Sequence, residues 1–292
     1  MGCRPIVCRS VSMHTLELSG VSSGYGGKDV LHDIKLNITE PSIYVVVGPN
    51  GAGKTTLFRT ICGILEARSG SVRFDGADVF ESSETRRRMI YLSHLNALPE
   101  EMTVRQSLDF FCEIEGGGDI DHVVQALHLE PLMDKKISDL SQGQKKRASI
   151  AKVFLRDRDL YLLDEPTSNV DPKVSREIRE YLLNLSKDRI VMYSSHNLYE
   201  AREIGTYLIL IKDGTIKFSD KISNLQRTKH RYGIKSPSDL TKMIGAEFSN
   251  GYYMVNLNAP EEAGALVKQL VDGGAVVTEM RELDNPLEEL FE

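Results

Sequence analysis

The chain has 292 residues, 41% of them apolar and 27% charged, with a formal net charge of -6 at pH 7. This length can bury one sizeable core and leave room for a small second domain, while the acidic balance argues against a general nucleic-acid-binding protein. No apolar run approaches the roughly 20 residues that a membrane-spanning helix needs. The four cysteines have neither metal-ligand spacing nor an apolar signal region beside them, which predicts reduced thiols in the cytoplasm.

The amino terminus, residues 1–12, shows neither periodicity nor turn signals. Two interpretations are open: a disordered tail, or a misassigned start upstream of initiation at Met13. In both cases we expect the first folded domain to begin at about residue 13.

Short apolar segments then alternate with helical patterns, which predicts an α/β fold. The predicted strands are 14–18, 34–38, 43–47, 71–74, 89–93, 160–163 and 190–194, followed by a hairpin of 207–211 and 215–218 that turns at Asp213 and Gly214. Several of these strands are apolar throughout, as is typical of a parallel sheet covered on both faces.

The pattern between residues 102 and 155 is helical. Thr103 and Gln106 form a capping-box pattern, and apolar residues then recur at helical spacing. They form one stripe of Val104, Leu108 and Phe111 and a second of Ile120, Val123, Val124 and Leu127. We therefore expect a helical insertion in the α/β domain, over residues of about 89–150.

A glycine-rich loop follows the predicted strand 43–47. Its residues are Gly48, Pro49, Asn50, Gly51, Ala52, Gly53, Lys54, Thr55 and Thr56. Glycines let backbone amides close around a phosphate group, Lys54 adds a positive charge, and the Thr55 hydroxyl can ligate Mg²⁺. The loop predicts a nucleoside triphosphate site, whereas an ordinary glycine-rich turn is the alternative.

An acidic pair, Asp164 and Glu165, ends the apolar strand 160–163. At the carboxyl edge of a parallel sheet these side chains would face the ligand crevice. Asp164 suits a Mg²⁺ role and Glu165 is placed to orient or deprotonate an attacking water. The alternative is a solvated strand end.

Between these motifs lies a polar turn of Ser141, Gln142, Gly143 and Gln144, which leads into a basic amphipathic segment. Ser141 is a natural helix cap. Lys145, Lys146 and Arg147 then fall in the first turns, where the helix dipole disfavours cations. This arrangement predicts an anion, such as a terminal phosphate, beyond the helix end. A capped surface helix is the alternative.

With these elements in this order, the chain resembles the nucleotide-binding subunit of an ATP-binding cassette (ABC) transporter over residues 14 to about 225. The loop 48–55 matches the Walker A motif, 140–144 the signature, 160–165 the Walker B motif and 168–171 the D-loop. His196 matches the switch histidine, and Tyr25 lies where the family stacks an aromatic ring on adenine. The signature departs from the family at Gln142, where glycine is commonest.

His94 occupies a position where the family usually has glutamine. Some export ATPases of similar appearance have histidine there. A neutral imidazole can accept a hydrogen bond from metal-bound water, which makes His94 a candidate catalytic residue. A histidine packed at a strand end is the alternative.

The resemblance implies a P-loop NTPase core of ABC type, with an antiparallel β subdomain and the helical insertion, over residues 13–228. It implies ATP and Mg²⁺ as ligands, with Thr55 and Asp164 at the metal and Glu165, His196 and His94 in catalysis. It also implies two partners: a second nucleotide-binding subunit, expected to be another copy of this chain, and a separate transmembrane permease. The signature of each subunit would close over the ATP bound by the other, and Asp171 would link the two sites. The chain would then lie on the cytoplasmic face of the membrane and contact no nucleic acid.

Residues 229–292 predict a small C-terminal α+β domain. We expect a strand at 252–256, a helix at 260–272, a strand at 275–280 and a short closing helix at 285–291. This βαβ-like unit is similar to the tail of ABC-2 type exporter ATPases of the drug and polysaccharide group, which implies export. A plain dimerisation or packing module is the alternative.

A different class of function also fits these motifs. Some proteins that carry them move no solute and act as mechanical ATPases on DNA, ribosomes or iron-sulfur assembly. A regulatory or assembly ATPase without a membrane partner is a further alternative. The long coiled coils of chromosome-type members are absent from this sequence.

Overall fold

The computed structural model describes residues 13–93, 97–168, 170–225, 230–249, 251–257, 259 and 261–283. The chain divides into two compact units, Met1–Ile222 and Ser223–Glu292. The candidate catalytic residue His94 and the expected closing helix at 285–291 lie outside the described residues.

The larger unit contains strands and helices in alternation. Its strands are β1 (Leu16–Tyr25), β2 (Lys28–Ile38), β3 (Ser42–Val47), β4 (Ser69–Phe74), β5 (Ala77–Asp78), β6 (Met89–Leu92), β7 (Leu160–Asp164), β8 (Ile190–Ser195), β9 (Tyr207–Lys212) and β10 (Thr215–Lys221). Its helices are α1 (Lys54–Ile61), α2 (Ser83–Arg87), α3 (Val104–Ile114), α4 (Ile120–Ala126), α5 (Gln142–Phe154), α6 (Pro172–Leu185) and α7 (Leu198–Ile204).

A mainly parallel sheet forms the centre of this unit, in the order β10, β9, β3, β8, β7, β6. The strands from β9 to β6 pair in parallel, and β10 pairs antiparallel with β9. Every residue of β3, β7 and β8 is buried, because both faces of these central strands are covered. The α/β fold with a P-loop core is thus confirmed.

A separate antiparallel sheet has the order β2, β1, β4, β5. The first residues of β1 alternate between buried and exposed positions, as expected of a sheet that faces solvent on one side. One apolar core joins this sheet to α1 and to a face of the parallel sheet; it includes Leu16, Phe74, Phe58 and Val46.

The segment expected as a helical insertion, at about 89–150, opens with a strand, in agreement with the strand predicted at 89–93. Met89–Leu92 is β6 of the parallel sheet, and the helices start at Val104. The capping box of Thr103 and Gln106 is present at the start of α3.

The smaller unit contains β11 (His230–Lys235), α8 (Thr241–Ile244), β12 (Glu247–Ser249), β13 (Tyr252–Leu257), α9 (Glu262–Asp272) and β14 (Glu279–Glu282). Its strands pair antiparallel in the order β12, β13, β11, β14. Because β11 lies between β13 and β14, the expected βαβ-like unit is split by a strand that the sequence pattern did not reveal.

The expected strand at 275–280 is wrong over its first part. The Ala275 amide donates to the Leu270 carbonyl at 2.9 Å, which closes the end of α9. Ala275 packs into the small core with Ile234, Leu240 and Leu270, and the strand begins only at Glu279. The apolar residues after the helix serve this core rather than a ladder.

Across the part of the chain that the structure describes, every helix is too short or too polar for a bilayer span.

Candidate functional site

The predicted motifs meet at the carboxyl edge of the parallel sheet. In the pairing register, Val47 at the end of β3 lies opposite Ser195 in β8, and Ser194 lies opposite Asp164 in β7. The glycine-rich loop, the acidic pair and His196 follow these neighbouring strands directly. Parallel strands end at one edge, where open α/β sheets bind ligands.

Two positions of the glycine-rich loop have a backbone conformation or a close contact that only glycine accommodates. Gly53 has a φ of 109°. A Cβ at Gly48 would lie 2.2 Å from the carbonyl oxygen of Ile211, so a side chain there would collide with β9. The loop leads directly into α1, whose first residue is Lys54.

The Lys54 side chain folds back over this loop. Its Nζ donates to the carbonyl oxygens of Gly48 at 2.6 Å and Pro49 at 3.2 Å. Lys54 is only 7% exposed, and burial lowers the pKa of its ammonium, although the charges of Glu165 and Asp164 act in the opposite sense. A partly desolvated cation beside backbone amides suits the binding of phosphate oxygens.

Asp164 is 2% exposed and is held by hydroxyl groups on both oxygens. Its Oδ2 accepts from Thr55 Oγ1 at 2.7 Å and from the Tyr91 hydroxyl at 3.2 Å. Its Oδ1 accepts from Ser194 Oγ at 2.7 Å. Tyr91 and Ser194 were missed from the sequence; each lies on a strand adjacent to β7, which was the available signal.

The residues present fit a magnesium site. Mg²⁺ is commonly held by one or two protein oxygens together with substrate phosphates. The Thr55 hydroxyl and the Asp164 carboxylate are such oxygens, and they lie within hydrogen-bond distance of each other. Among the described residues, groups of three or more His, Cys, Asp and Glu side chains suited to a metal do not occur, so the site would need the phosphates to complete it.

Glu165 leaves the strand in an unusual backbone conformation. Its φ is 48°. Residues other than glycine rarely adopt this conformation, and those that do cluster at functional sites. The Glu165 amide donates to Ser194 Oγ at 2.9 Å. Its Oε1 lies 3.2 Å from Nδ1 of His196. Ser194 therefore binds Asp164 and Glu165 together, and sets the turn that separates their side chains.

His196 is exposed, but the residues behind it form a partly buried network. Glu200 Oε1 accepts from the Tyr193 hydroxyl at 2.7 Å, and Oε2 accepts from Ser195 Oγ at 2.8 Å. Thr167, from the loop after Glu165, also donates to Glu200. The network connects the loops that follow β7 and β8, and it lies beside a cleft of about 690 Å³ that Glu165 and His196 also line. Sequence reasoning missed it.

Tyr25 and Asp171 occupy the flanks of this region. Tyr25 ends β1, is 45% exposed, and its hydroxyl accepts from Arg59 Nη1 at 3.2 Å. Asp171 caps α6 by accepting from the Lys173 amide at 3.3 Å.

The polar turn forms the start of α5 as the sequence predicts. Ser141 caps the helix, and its side chain and that of Gln144 form a capping box. Ser141 and Gln142 are exposed, whereas Gly143 and Gln144 are half-buried. The exposed cap is accessible to a ligand or another subunit.

The cations that follow the cap have partners within this chain, and the anion expected beyond the helix end stays a prediction. Lys145 pairs with Glu100 at 2.9 Å, and Arg147 donates to the His128 carbonyl at 3.2 Å. Lys146 is 3% exposed; burial lowers the pKa of its ammonium, while Asp164 and Glu165 of the same chain favour the charge. These partners come from distant segments and could not be seen from the local pattern.

The chain is similar in sequence to proteins of a known family. Residues 31–168 match the family described as ABC transporter. The petrobactin import ATP-binding protein YclP of Bacillus subtilis is 33% identical over 213 residues, which cover 69% of this chain and 84% of that protein. The lactose transport ATP-binding protein LacK of Rhizobium radiobacter is 29% identical over 213 residues, which cover 70% of this chain and 59% of LacK. The chain thus spans less than two thirds of LacK.

Solved structures share the fold. An ATP-binding subunit of an ABC transporter superposes with a TM-score of 0.66 at 25% identity, over 72% of this chain and 91% of that one. The ATP-binding cassette MJ0796, in a dimeric post-hydrolysis state with ADP and Pi, superposes with a TM-score of 0.65 at 23% identity, over 71% and 98%. The extent of the match to YclP decides the family: the chain belongs to the ABC transporters, as an ATP-binding subunit.

Proposed function

We propose that the chain binds and hydrolyses ATP, and that a dimer of such subunits drives a separate membrane permease. The observation that carries this proposal is the meeting of Lys54, Asp164 and Glu165 at one sheet edge. A cation for phosphates, a metal carboxylate and a base for water are the parts that phosphoryl transfer to water requires.

Each residue has a distinct task in this proposal. Lys54 and the loop amides bind the phosphates, and Thr55 and Asp164 hold Mg²⁺, which neutralises charge on the phosphate oxygens when bound. Glu165 accepts the proton of the attacking water as the water oxygen bonds the terminal phosphorus. The bond from that phosphorus to the bridging oxygen of ADP then breaks. His196, beside Glu165, contacts the terminal phosphate.

The site is proposed to be shared between subunits. The exposed cap formed by Ser141 and Gln142, with Gly143 and Gln144, would close over ATP held by the partner's loop. Tyr25 would stack on adenine, as its exposure allows. Asp171 would link the two sites. His94, two residues beyond β6 in the sequence, stays a predicted catalytic residue.

We further propose export as the direction of transport and the cytoplasmic membrane face as the location, through the permease. The small C-terminal unit supports export by its resemblance to ABC-2 type tails. The names of YclP and of other relatives describe import, which is a statement about those proteins. An ATPase without a permease is the second candidate, because the same nucleotide-site motifs occur in ATPases that move no solute.

A complementation experiment tests the shared site. Lys54→Ala disables the loop and Ser141→Arg blocks the cap, so each variant alone should be inactive. When the two variants are mixed at random, half of the dimers are heterodimers, and each heterodimer has one intact site of its two. The mixture should therefore show about a quarter of the wild-type ATPase activity. Mixtures that stay inactive, with both variants folded, would reject shared sites. Co-purification with a membrane protein that stimulates the ATPase separates transport from the second candidate.

A further inference from the structure

Tyr91 is the feature of the site that the proposed function leaves unused. It lies in β6, half-buried, and its hydroxyl donates to Asp164 Oδ2 at 3.2 Å. Burial, followed by the charge of Asp164, raises the pKa of the Tyr91 phenol. Because an ionised carboxylate can only accept, the Tyr91 hydroxyl is the donor in this hydrogen bond.

The same phenol lies on a path to the proposed base-stacking ring. Arg59, in the last turn of α1, donates from Nη1 to the Tyr25 hydroxyl at 3.2 Å. Hydrogen bonding to Tyr25 and then to Tyr91 raises the pKa of Arg59. Arg59 thus contacts Tyr25 directly and lies close enough to Tyr91 for the phenol to act on its guanidinium, while Tyr91 contacts Asp164.

Asp164 must present an oxygen in a fixed direction if it is to hold Mg²⁺, because this ion demands near-octahedral geometry. Its Oδ1 is held by Ser194 and its Oδ2 by Thr55 and Tyr91. A Thr55 hydroxyl that ligated Mg²⁺ through an oxygen lone pair would still have its hydrogen to donate to Oδ2. Tyr91 is the second donor to that oxygen.

We propose that Tyr91 is a positioning residue for the metal-binding carboxylate Asp164, and that Arg59 connects it to Tyr25. This inference rests on the proposed ATP and Mg²⁺ site. It adds that occupation of the base site and order at the metal site reinforce each other, since a stacked base restrains Tyr25 and hence Arg59.

The test is Tyr91→Phe, which removes the hydroxyl and keeps the ring. The matched control is Tyr44→Phe, because the Tyr44 hydroxyl donates to the Glu40 carbonyl at 3.0 Å, near the start of β3 and away from Asp164. Mn²⁺ affinity is measured by electron paramagnetic resonance with a non-hydrolysable ATP analogue. Affinity for the analogue is also measured in EDTA.

Tyr91→Phe should weaken Mn²⁺ binding about three- to tenfold, the range expected for the loss of one ordinary hydrogen bond. Tyr44→Phe should leave it unchanged, and both variants should bind the analogue in EDTA as the wild type does. Mn²⁺ binding that is unchanged or tighter in Tyr91→Phe overturns the positioning role. A wild-type protein that did not bind the ATP analogue at all would instead reject the proposed function, so the two failures are distinguishable.

Arg59→Met tests the connection to Tyr25. With the ATP analogue it should weaken Mn²⁺ binding about twofold, and with tripolyphosphate, which has no base to stack, the effect should disappear. An effect of equal size with both ligands overturns the connection to the base site, and so does the absence of any effect with the analogue.

Discussion

The loop side of the site and the signature side differ in how much of their order comes from this chain. On the loop side, Asp164 and Lys54 are buried. Hydroxyl groups from other segments hold Asp164, and carbonyl groups of the loop itself hold Lys54. On the signature side, Ser141 and Gln142 are exposed, and the polar contacts of Ser141 are the local ones of a helix cap. One side is formed by tertiary packing, whereas the other is ordered by its own helix.

This difference shows what each side can do alone. A buried carboxylate with hydrogen bonds on both oxygens is oriented before any ligand arrives, and pre-organised charge is what phosphoryl transfer needs. An exposed cap with a satisfied helix end is stable without a partner, yet its surface is free to meet one. Chemistry on one side and assembly on the other should therefore respond differently to substitution.

Glu165→Gln should break the chemistry and spare the assembly. We expect ATP hydrolysis to fall about 10³-fold, because a general base is lost, while the amide keeps the size of the side chain. ATP binding should persist and trap a dimer. Light scattering of the variant with saturating ATP measures this, and a monomer under those conditions would contradict the shared site.

Ser194→Ala should weaken the loop side in the absence of ATP. Ser194 is fully buried and binds both Asp164 and the Glu165 amide, so its loss should lower the free energy of unfolding by about 2 kcal/mol. Urea unfolding measures this. Ser186→Ala, which removes a hydroxyl bound to the Leu183 carbonyl at 3.0 Å near the surface, is the control. Equal effects of the two variants would show that Ser194 is not special.

Ser141→Ala should cost less stability than Ser194→Ala, because only a helix cap is lost. The expected decrease in the free energy of unfolding is about 1 kcal/mol. Ser138→Ala, whose exposed hydroxyl donates to the neighbouring Asp139, should change it less. If Ser141→Ala destabilised the monomer more than Ser194→Ala, the contrast between the two sides would be lost.

Asp75→Asn should leave both sides of the site intact, lower the free energy of unfolding at neutral pH and flatten its dependence on acid. Burial alone would raise the pKa of Asp75, but hydrogen bonds from the Thr15 amide, His14 and Arg88 lower it below its ordinary 3.8. A lowered folded-state pKa contributes stability above pH 3.8 that is lost as pH falls through the folded value. The variant should show a shallower loss of stability below pH 3.8 in urea unfolding. An unchanged acid slope would exclude this contribution.

The candidate site illustrates how far local patterns reach. The loop 48–55 and the pair of Asp164 and Glu165 were predictable because phosphate binding needs glycine backbone and a lysine within a few residues of one strand. Ser194, Tyr91 and Glu200 were not, because serine, tyrosine and glutamate on a strand or helix have no local signature. Their roles arise from the strand order β3, β8, β7, β6, which brings distant segments side by side.

The amino-acid sequence by itself determined the α/β class, the phosphate loop, the acidic strand end and the capped start of α5, since each depends on residues close together in the chain. Tertiary structure alone decided the partners of Lys145, Lys146 and Arg147, the split of the C-terminal unit by β11, and the hydroxyls around Asp164. The physical reason is the same in each case: a buried charge or an apolar segment takes whichever partner packing brings near, and packing joins residues that are far apart in sequence.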